Sequence, residues 1–203
     1  MTDSDGAPVG GTAFGGLDEA ERQRVIDAAT TLFGSYGPAA VTLKWIALSS
    51  GIAVERLSVE FASVAALLAA SLDQVAEAVG VIGLGRLRLE AEEEAERGRL
   101  IELYERMVAR ALLDGVNPAR LQGDFHHMDA LIEMYRVTFD LDERTARYRV
   151  SQACALEWGW RLFGPHLMIA CGLDDEPADL PLRELQDLHE HLAKLPPVGT
   201  TQG

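Results

Sequence analysis

A three-residue turn between two short apolar segments constrains the fold of this chain more than any other feature. The turn is Ser49, Ser50 and Gly51, and a glycine takes a positive φ angle at no steric cost. Thr42 offers a capping hydroxyl to a helix before the turn, and a second helix is predicted from about Ala53 to Glu60 after it. The inward-facing residues are predicted to be Leu43, Ile46, Ala47, Ile52, Leu57 and Phe61. Two short helices joined by so tight a turn form a helix-turn-helix unit.

A longer helix is predicted before this unit. Asp18 followed by Glu21 is typical of a capping box, and Gly37 with Pro38 is a stop signal. Between these signals, apolar residues recur at intervals of three and four, which places them on one buried stripe. They are Val25, Ile26, Ala28, Ala29, Leu32, Phe33 and Tyr36. The N-terminal part of the chain is therefore predicted to be a three-helix domain.

Positions 25–68 resemble the N-terminal domain of the TetR family of transcriptional regulators in their residue types, in the order of those residues and in the spacing between them. The matching residues are Val25-Ile26-Asp27-Ala28-Ala29, Leu32-Phe33, Gly37, Val41-Thr42, Ile46-Ala47, Gly51-Ile52, Leu57, Phe61 and Leu67-Leu68. The resemblance implies an all-α homodimer without enzyme activity. It also implies a ligand-responsive transcriptional regulator, a repressor, that binds a pseudo-palindromic DNA operator. It divides the chain into a tail at 1–16, a helix-turn-helix domain at 17–64, a larger helical domain for ligand binding and dimerisation at 65–197, and a tail at 198–203.

The surface expected to face DNA lies on the second and third helices. Thr42 can offer its hydroxyl and its helix N-terminus to a phosphate, and Lys44 is placed to reach the DNA backbone. Arg56 could pair with a guanine if it reaches a base edge. The complete set of predicted DNA-binding residues is Thr42, Lys44, Val54, Glu55, Arg56 and Ser58.

This surface departs from the family pattern in its charge. The cap of the third helix is Ala53 in place of Ser or Thr, Ser58 and Val59 replace aromatic or basic residues, and Val64 replaces a Lys. Residues 17–80 hold four basic and eight acidic side chains, a formal charge of −4. Because phosphate neutralisation supplies much of DNA affinity, a second interpretation stays open. In it the chain binds DNA weakly or not at all, its Val54/Val59 face contacts a protein partner, and its C-terminal domain acts as a small-molecule or protein-binding module.

Overall composition points to an intracellular regulator. The net charge of −14 argues against general affinity for nucleic acid or anionic membranes. Residues 1–16 hold two Asp and no Lys or Arg, unlike a signal peptide, and the longest apolar run, 61–72, is too short to span a bilayer. We therefore expect a cytoplasmic protein with no membrane partner and with Cys154 and Cys171 reduced.

The rest of the chain is helical by pattern, without a strand signal. Helices are predicted at 63–79, 86–113, 125–139, 142–163 and 181–195, the fourth of them ending at Gly164-Pro165. The resemblance implies a ligand pocket, and its candidate residues are Tyr104, His127, Met128, Tyr135 and Trp158. With few charges expected inside, the ligand would be a hydrophobic or aromatic small molecule. The alternative for each residue is ordinary packing with its polar atom satisfied.

In the resembled family, the last two long helices of each subunit pack as a four-helix bundle across the dimer axis. Residues 142–163 and 182–195 match them by position, and their apolar residues are either this interface or the core of one subunit. The predicted dimer-interface residues are Trp158, Leu162, Leu185, Leu188 and Leu192.

Metal-binding and catalytic patterns are missing from the sequence. His126 and His127 are adjacent and His189 and His191 are two apart, so neither pair shares a helix face. No nucleophile-base order, phosphate-binding loop or calcium loop is present. We predict no catalytic residue, metal or cofactor.

Overall fold

The structure is a computed structural model that describes residues 16–83, 90–123, 125–173, 175–177, 187–188 and 190–195, with the side chains of 81–83 excepted. Within these residues the chain is all-α, as predicted, and holds no strand. Its helices are α1 (Glu19–Tyr36), α2 (Leu43–Ser50), α3 (Val54–Glu60), α4 (Val64–Gly83), α5 (Ala91–Leu113), a 3-10 turn (Pro118–Arg120), α6 (His126–Thr138) and α7 (Glu143–Ala170).

Helices α1 to α3 form the three-helix domain and begin and end at the predicted signals. The backbone N–H of Glu21 donates to Asp18 Oδ1 at 2.8 Å, and that of Asp18 donates to Glu21 Oε2 at 3.1 Å, which completes the capping box. Thr42 Oγ1 accepts from the backbone N–H of Trp45 at 3.2 Å. Gly51 takes a φ of 70°, so the turn into α3 needs a residue that tolerates the left-handed region.

One hydrophobic core runs from the three-helix domain into the rest of the chain. Its fully buried members include Phe33 and Leu57 in the three-helix domain, Leu67, Leu68 and Leu72 in α4, and Met107 in α5. Helix α4 therefore packs on both parts of the molecule. The predicted domain boundary at 64/65 falls in the first turn of this helix and stays a prediction.

Two further contacts hold α1 against α5. The backbone N–H of Ala39 donates to Asp114 Oδ2 at 3.0 Å. Gly34 is buried against Leu103, and a Cβ at this position would overlap the leucine side chain. The absence of a side chain at Gly34 thus permits the close approach of the two helices.

A second, smaller core lies between α6 and α7. It is formed by Tyr135, Ala146, Val150, Ala153 and Ala193, and the rings of Tyr135 and Phe139 meet edge to face at 5.3 Å. This core holds α6 along the first half of α7.

Two predicted helix ends differ from the structure, and two predicted starts lie outside the described residues. Helix α7 does not end at Gly164-Pro165 but continues to Ala170, because a proline inside a helix removes only its own N–H bond and the following turns keep theirs. Helix α4 continues through Gly80 to Gly83, since an isolated glycine weakens a helix without ending it. Helix α5 is described from Ala91, and the predicted start at 86 lies outside the described residues. Of the predicted last helix, 187–188 and 190–193 are helical and 181–186 lie outside the description.

No single helix in the described ranges is both long and apolar enough to cross a membrane. Helix α3 and residues Val64–Gly80 of α4 are long and apolar enough to span a bilayer only if they are counted as one segment. The axes of these two helices, however, are bent by 71° relative to each other.

Replacing Ser71 with alanine is expected to raise the free energy of unfolding by about 1 kcal/mol. Ser71 is fully buried in α4 and its Oγ finds no hydrogen-bond partner among the described residues. Urea unfolding at equilibrium measures the change. The matched control is Ser63→Ala, which removes the hydroxyl that accepts from the N–H of Ala66 at 3.1 Å and is expected to lower stability by a similar amount. A loss of stability in Ser71→Ala would contradict the assignment of an unsatisfied hydroxyl.

Candidate DNA-binding surface and ligand cavity

The outer surface of α2 and α3 carries most of the predicted DNA-binding residues. Thr42, Lys44, Glu55 and Ser58 are exposed, and the Ser58 hydroxyl donates to the carbonyl of Val54 at 2.7 Å. Val54 itself is half-buried and packs against the main core, so it contributes less to this surface than its helical position suggested. The adjoining Val59 is 63% exposed.

Arg56 lies between α3 and α1 and binds Glu21. Its Nη1 and Nη2 donate to the two carboxylate oxygens of Glu21 at 2.6 and 2.5 Å, and Nη2 also donates to the carbonyl of Gly16 at 3.1 Å. The hydrogen bond lowers the pKa of Glu21 and raises that of Arg56. Sequence reasoning missed this pair because the partners are 35 positions apart and Glu21 had already been assigned to the capping box.

A second ion pair also lies within the three-helix domain. Arg22 Nε is 3.6 Å from Glu60 Oε1, and the Arg22 guanidinium lies over the Phe61 ring at 5.8 Å. Two of the four cations in residues 17–80 are thus paired with carboxylates of the same domain. Lys44 and Arg24 are exposed on its surface.

Two cavities lie on the inner side of α5, one larger and one smaller. The larger cavity, of about 630 Å³, is lined by α4, α5, α6 and α7 and is partly open to solvent, and the smaller has about 310 Å³. Four of the five candidate ligand residues line both cavities: Tyr104, His127, Met128 and Trp158. The fifth, Tyr135, lines neither and is buried in the second core. The Tyr104 ring lies 5.6 Å from His127 and 6.2 Å from Trp158, both edge to face.

The wall of the larger cavity carries more charge than the sequence pattern predicted. The charged side chains along it are Glu94, Arg97, Glu105, Glu157 and Arg161. The expectation of few charges was wrong because α5 and α7 place charged residues on the same face as their apolar ones. Ile101, Glu105, Val108 and Leu112 follow one another at intervals of four, three and four, and this interruption of an apolar stripe by Glu105 was the available signal.

Glu105 is the most deeply buried of these charged residues, at 3% exposure. Its Oε1 lies 3.6 Å from Arg161 Nε, and neither carboxylate oxygen has a hydrogen-bond partner in the part of the chain that is described. Burial raises the pKa of Glu105 to about 7, opposed by the positive charge of Arg161. Arg161 Nη2 in turn donates to Glu157 at 2.7 Å.

A chain of hydrogen bonds leads from the cavities to α4. The Tyr104 hydroxyl donates to Gln122 Oε1 at 3.2 Å, and Gln122 Nε2 donates to Asp73 Oδ1 at 3.1 Å. Burial raises the pKa of Tyr104, so this residue acts as a donor at neutral pH.

The residue after Asp73 connects α4 to α1. Gln74 Nε2 donates to Asp27 Oδ1 and Gln23 Nε2 donates to Gln74 Oε1, each at 2.8 Å. Polar contacts thus join the cavity wall, α4 and α1 in sequence.

The predicted dimer-interface residues occupy different environments. Leu162 and Leu188 are each 40% exposed and Leu192 is half-buried, whereas Leu185 lies outside the described residues. Trp158 is half-buried, packs against the main core and lines both cavities. The C-terminal half of α7 exposes further large apolar side chains, namely Phe163, Leu167 and Ile169.

The described residues hold no group of three or more His, Cys, Asp or Glu side chains arranged to bind a metal ion. Cys154 and Cys171 are free thiols. Burial raises the pKa of Cys154 to about 11, so this thiol is protonated at neutral pH.

The chain belongs to the helix-turn-helix transcriptional regulators. It is 36% identical over 156 residues to the HTH-type transcriptional repressor Rv3405c of Mycobacterium tuberculosis strain H37Rv, a match that covers 76% of this chain and 79% of the repressor. The HTH-type transcriptional regulator Mb3439c of Mycobacterium bovis matches with the same identity and coverage. A search of family models found no match.

Solved structures share the fold. The multidrug binding protein EbrR complexed with imidazole superimposes with a TM-score of 0.55 at 20% identity, over 89% of this chain and 99% of that one. Its complex with ethidium gives a TM-score of 0.54 at 20% identity, over 85% and 98% of the two chains. At this identity the likeness concerns the arrangement of helices.

Proposed function

We propose that this protein is a TetR-type repressor that binds a pseudo-palindromic operator as a homodimer and responds to a small molecule. The proposal is carried by the connection between two features of the molecule, a capped helix-turn-helix unit and a cavity of about 630 Å³. Both pack on helix α4, and one continuous hydrophobic core runs between them. The relationship to a named repressor supports the DNA-binding half. The multidrug binding and ethidium complex of a protein with the same fold support a hydrophobic or aromatic ligand. Such a regulator works in the cytoplasm and catalyses no reaction.

DNA contact in this proposal relies on few cations. Thr42 and the N-terminus of α2 meet a phosphate, Lys44 reaches the backbone, and the outer face of α3 with Glu55 and Ser58 enters the major groove. Arg56 fixes α3 on α1 through Glu21, and it reads a base only when it leaves that carboxylate. Specific affinity then depends on the paired domains of a dimer, because each subunit offers few phosphate contacts.

Ligand binding is coupled to DNA binding through α4. A molecule in the larger cavity contacts Tyr104, and a shift of Tyr104 is passed through Gln122 and Asp73 to α4 and from Gln74 to α1. Half-sites lie about 34 to 36 Å apart on the DNA, so a displacement of a few ångströms in each recognition helix breaks the match.

Dimerisation uses the exposed apolar residues at the C-terminal end of the chain. Leu162, Phe163, Leu167 and Ile169 on α7, together with Leu188 and Leu192, offer an apolar surface that water would otherwise cover. Trp158 belongs to the cavity in this proposal.

A second candidate function rests on the charge of the three-helix domain. Two of its cations are held in ion pairs, and the outer face of α3 presents Glu55 and Val59 to solvent. A surface of this kind suits a protein partner better than a phosphate backbone, and the protein would then act through its C-terminal domain.

Fluorescence anisotropy with labelled DNA that flanks the protein's own gene separates the two functions. A repressor dimer binds this DNA at low salt, loses affinity steeply as salt rises, and has the mass of two chains in light scattering. No binding at low salt would reject the repressor and leave the second candidate.

Replacing Lys44 with alanine is expected to weaken operator binding about tenfold and to reduce the slope of log affinity against log salt by about 2 per dimer, since each subunit loses one phosphate contact. The matched control is Arg147→Ala, which removes one charge from an exposed position on α7. Equal effects of the two variants on the salt slope would show that Lys44 does not touch the DNA.

A further inference from the structure

Helix α3 has few means of its own to keep its orientation. It is seven residues long, and a helix this short is not stable without tertiary contacts. Its N-cap residue, Ala53, makes no side-chain hydrogen bond to the helix. Leu57 and the C-cap residue Phe61 are buried and hold one side of α3 against the core. Because apolar contacts are non-directional, other contacts are needed to fix the rotation of α3 about its axis.

Two ion pairs join α3 to adjacent positions on α1. Arg56 donates to both carboxylate oxygens of Glu21, at 2.6 and 2.5 Å, and Glu60 Oε1 lies 3.6 Å from Arg22 Nε. Arg56 and Glu60 are four residues apart and therefore share one side of α3, which these contacts turn toward α1. Each helix supplies one anion and one cation. A displacement of α3 that brings Arg56 to Arg22, or Glu60 to Glu21, places like charges together and is disfavoured.

The site that α1 offers to Arg56 is already in place on that helix. Glu21 Oε2 accepts from the backbone N–H of Asp18 at 3.1 Å in the capping box, which orients the carboxylate. Arg56 and Glu21 are both half-buried, and a bidentate contact between arginine and carboxylate is strong and geometrically specific. Nη2 of Arg56 also donates to the carbonyl of Gly16 at 3.1 Å. The edge of a guanine offers only two uncharged acceptors, so exchanging α1 for a base loses contacts.

We propose that Arg56 is a positioning residue that stays on Glu21 when the protein binds DNA, and that the two ion pairs decide which side of α3 faces the bases. With Arg56 held on α1, the exposed Glu55 lies about 100° around the helix from it, on the outer face. This inference rests on the DNA-binding function proposed above and adds the residues that orient the recognition helix. It assigns no base contact to Arg56.

Glu21→Gln tests the inference with little change of shape. A glutamine in a capping box still accepts from the N–H of Asp18, but it has no charge to hold Arg56. The quantity measured is the ratio of two affinities of the full-length protein, one for the DNA that flanks its own gene and one for the same DNA with its bases scrambled. Fluorescence anisotropy gives both. Because phosphate contacts do not depend on sequence, and because unfolding lowers both affinities alike, this ratio is insensitive to net charge and to loss of folded protein.

We expect the ratio to fall about fivefold or more in Glu21→Gln, because α3 no longer presents the same residues to the bases. The matched control is Glu19→Gln, which removes the same charge from an exposed position in the first turn of α1 and should keep the ratio within about twofold of wild type. If Arg56 reads a base, the sign is opposite, since Glu21 then competes with DNA for the guanidinium. An unchanged or higher ratio in Glu21→Gln therefore overturns the inference.

An exchange of the two charges provides a second test. Arg56→Glu places a carboxylate beside Glu21 and is expected to abolish the preference for the flanking DNA. Adding Glu21→Arg forms an ion pair of reversed polarity and should restore the ratio to within about threefold of wild type, although α3 then carries no cation. Adding Glu19→Arg instead restores the same net charge without the ion pair and should not restore the ratio. Urea unfolding checks that each variant is folded. A folded charge-exchange variant that is no better than this control also overturns the inference.

Amide hydrogen exchange without DNA separates failure of the inference from failure of the proposed function. Glu21→Gln is expected to increase the exchange rates of the amides of residues 57–61 about fivefold or more and to leave those of α2 unchanged. Unchanged exchange in α3 overturns the inference whether or not the protein binds DNA. Equal affinity of the wild type for the two DNAs, or binding of neither, overturns the proposed operator function together with the inference that rests on it.

Discussion

The free energy of unfolding of Glu105→Gln, relative to that of the wild type, is expected to increase by about 3 kcal/mol when the pH is raised from ~4 to ~8. The cause is the pKa of Glu105, which burial raises from 4.5 to about 7 in the folded protein. A carboxyl group with a raised pKa binds more protons in the folded state than in the unfolded state. Its contribution to stability is therefore complete below the unfolded pKa and is lost as the pH rises through the folded one. Glutamine does not titrate and avoids this loss.

Urea unfolding of both proteins across this pH range measures the difference, in which the titration of all other groups largely cancels. The control is Glu92→Gln, which removes one carboxylate from an exposed position on the same helix, and the Glu105→Gln difference is compared with it at each pH. A Glu105→Gln difference that stays constant with pH would mean that water or a rearranged partner solvates the carboxylate.

Glu55→Lys is expected to strengthen DNA binding about tenfold or more at low salt. Glu55 is exposed on the outer face of α3, where it repels phosphate, and a lysine there adds one phosphate contact per subunit. Because each contact adds about 0.9 to the salt slope, two more contacts in a dimer make the loss of affinity between about 50 and about 200 mM salt about tenfold larger. Anisotropy titrations at the two salt concentrations measure both quantities.

The control for this variant is Glu92→Lys, which makes the same change of charge at an exposed position in the first turn of α5, outside the three-helix domain. It should change DNA affinity only slightly. Comparable strengthening by both variants would indicate a general effect of net charge, and no strengthening by Glu55→Lys would remove α3 from the DNA interface and favour the second candidate function.

Much of the fold could be predicted because its determinants are local. The capping box of Asp18 and Glu21, the cap at Thr42 and the glycine turn at Gly51 act within a few residues of the chain, and the apolar spacing of α1 needs no partner to be recognised. The end of α7 was missed for the opposite reason. Whether a helix continues past Pro165 depends on the packing around it and not on the proline alone.

Periodicity, capping and composition are properties of neighbouring residues, and they were sufficient to predict the all-α class, the helix-turn-helix unit and the low positive charge of its outer face. The packing of the helices was needed to find that Arg56 binds Glu21, that Tyr135 lies in a core apart from the cavity, and that Glu105 is buried beside Arg161. The contacts of Arg56 with Glu21 and of Glu105 with Arg161 join helices that are not consecutive in the chain, and the core around Tyr135 depends on how α6 packs on α7. The charge state of a buried group depends on what surrounds it in space, and neighbours of that kind leave no local pattern in a single sequence.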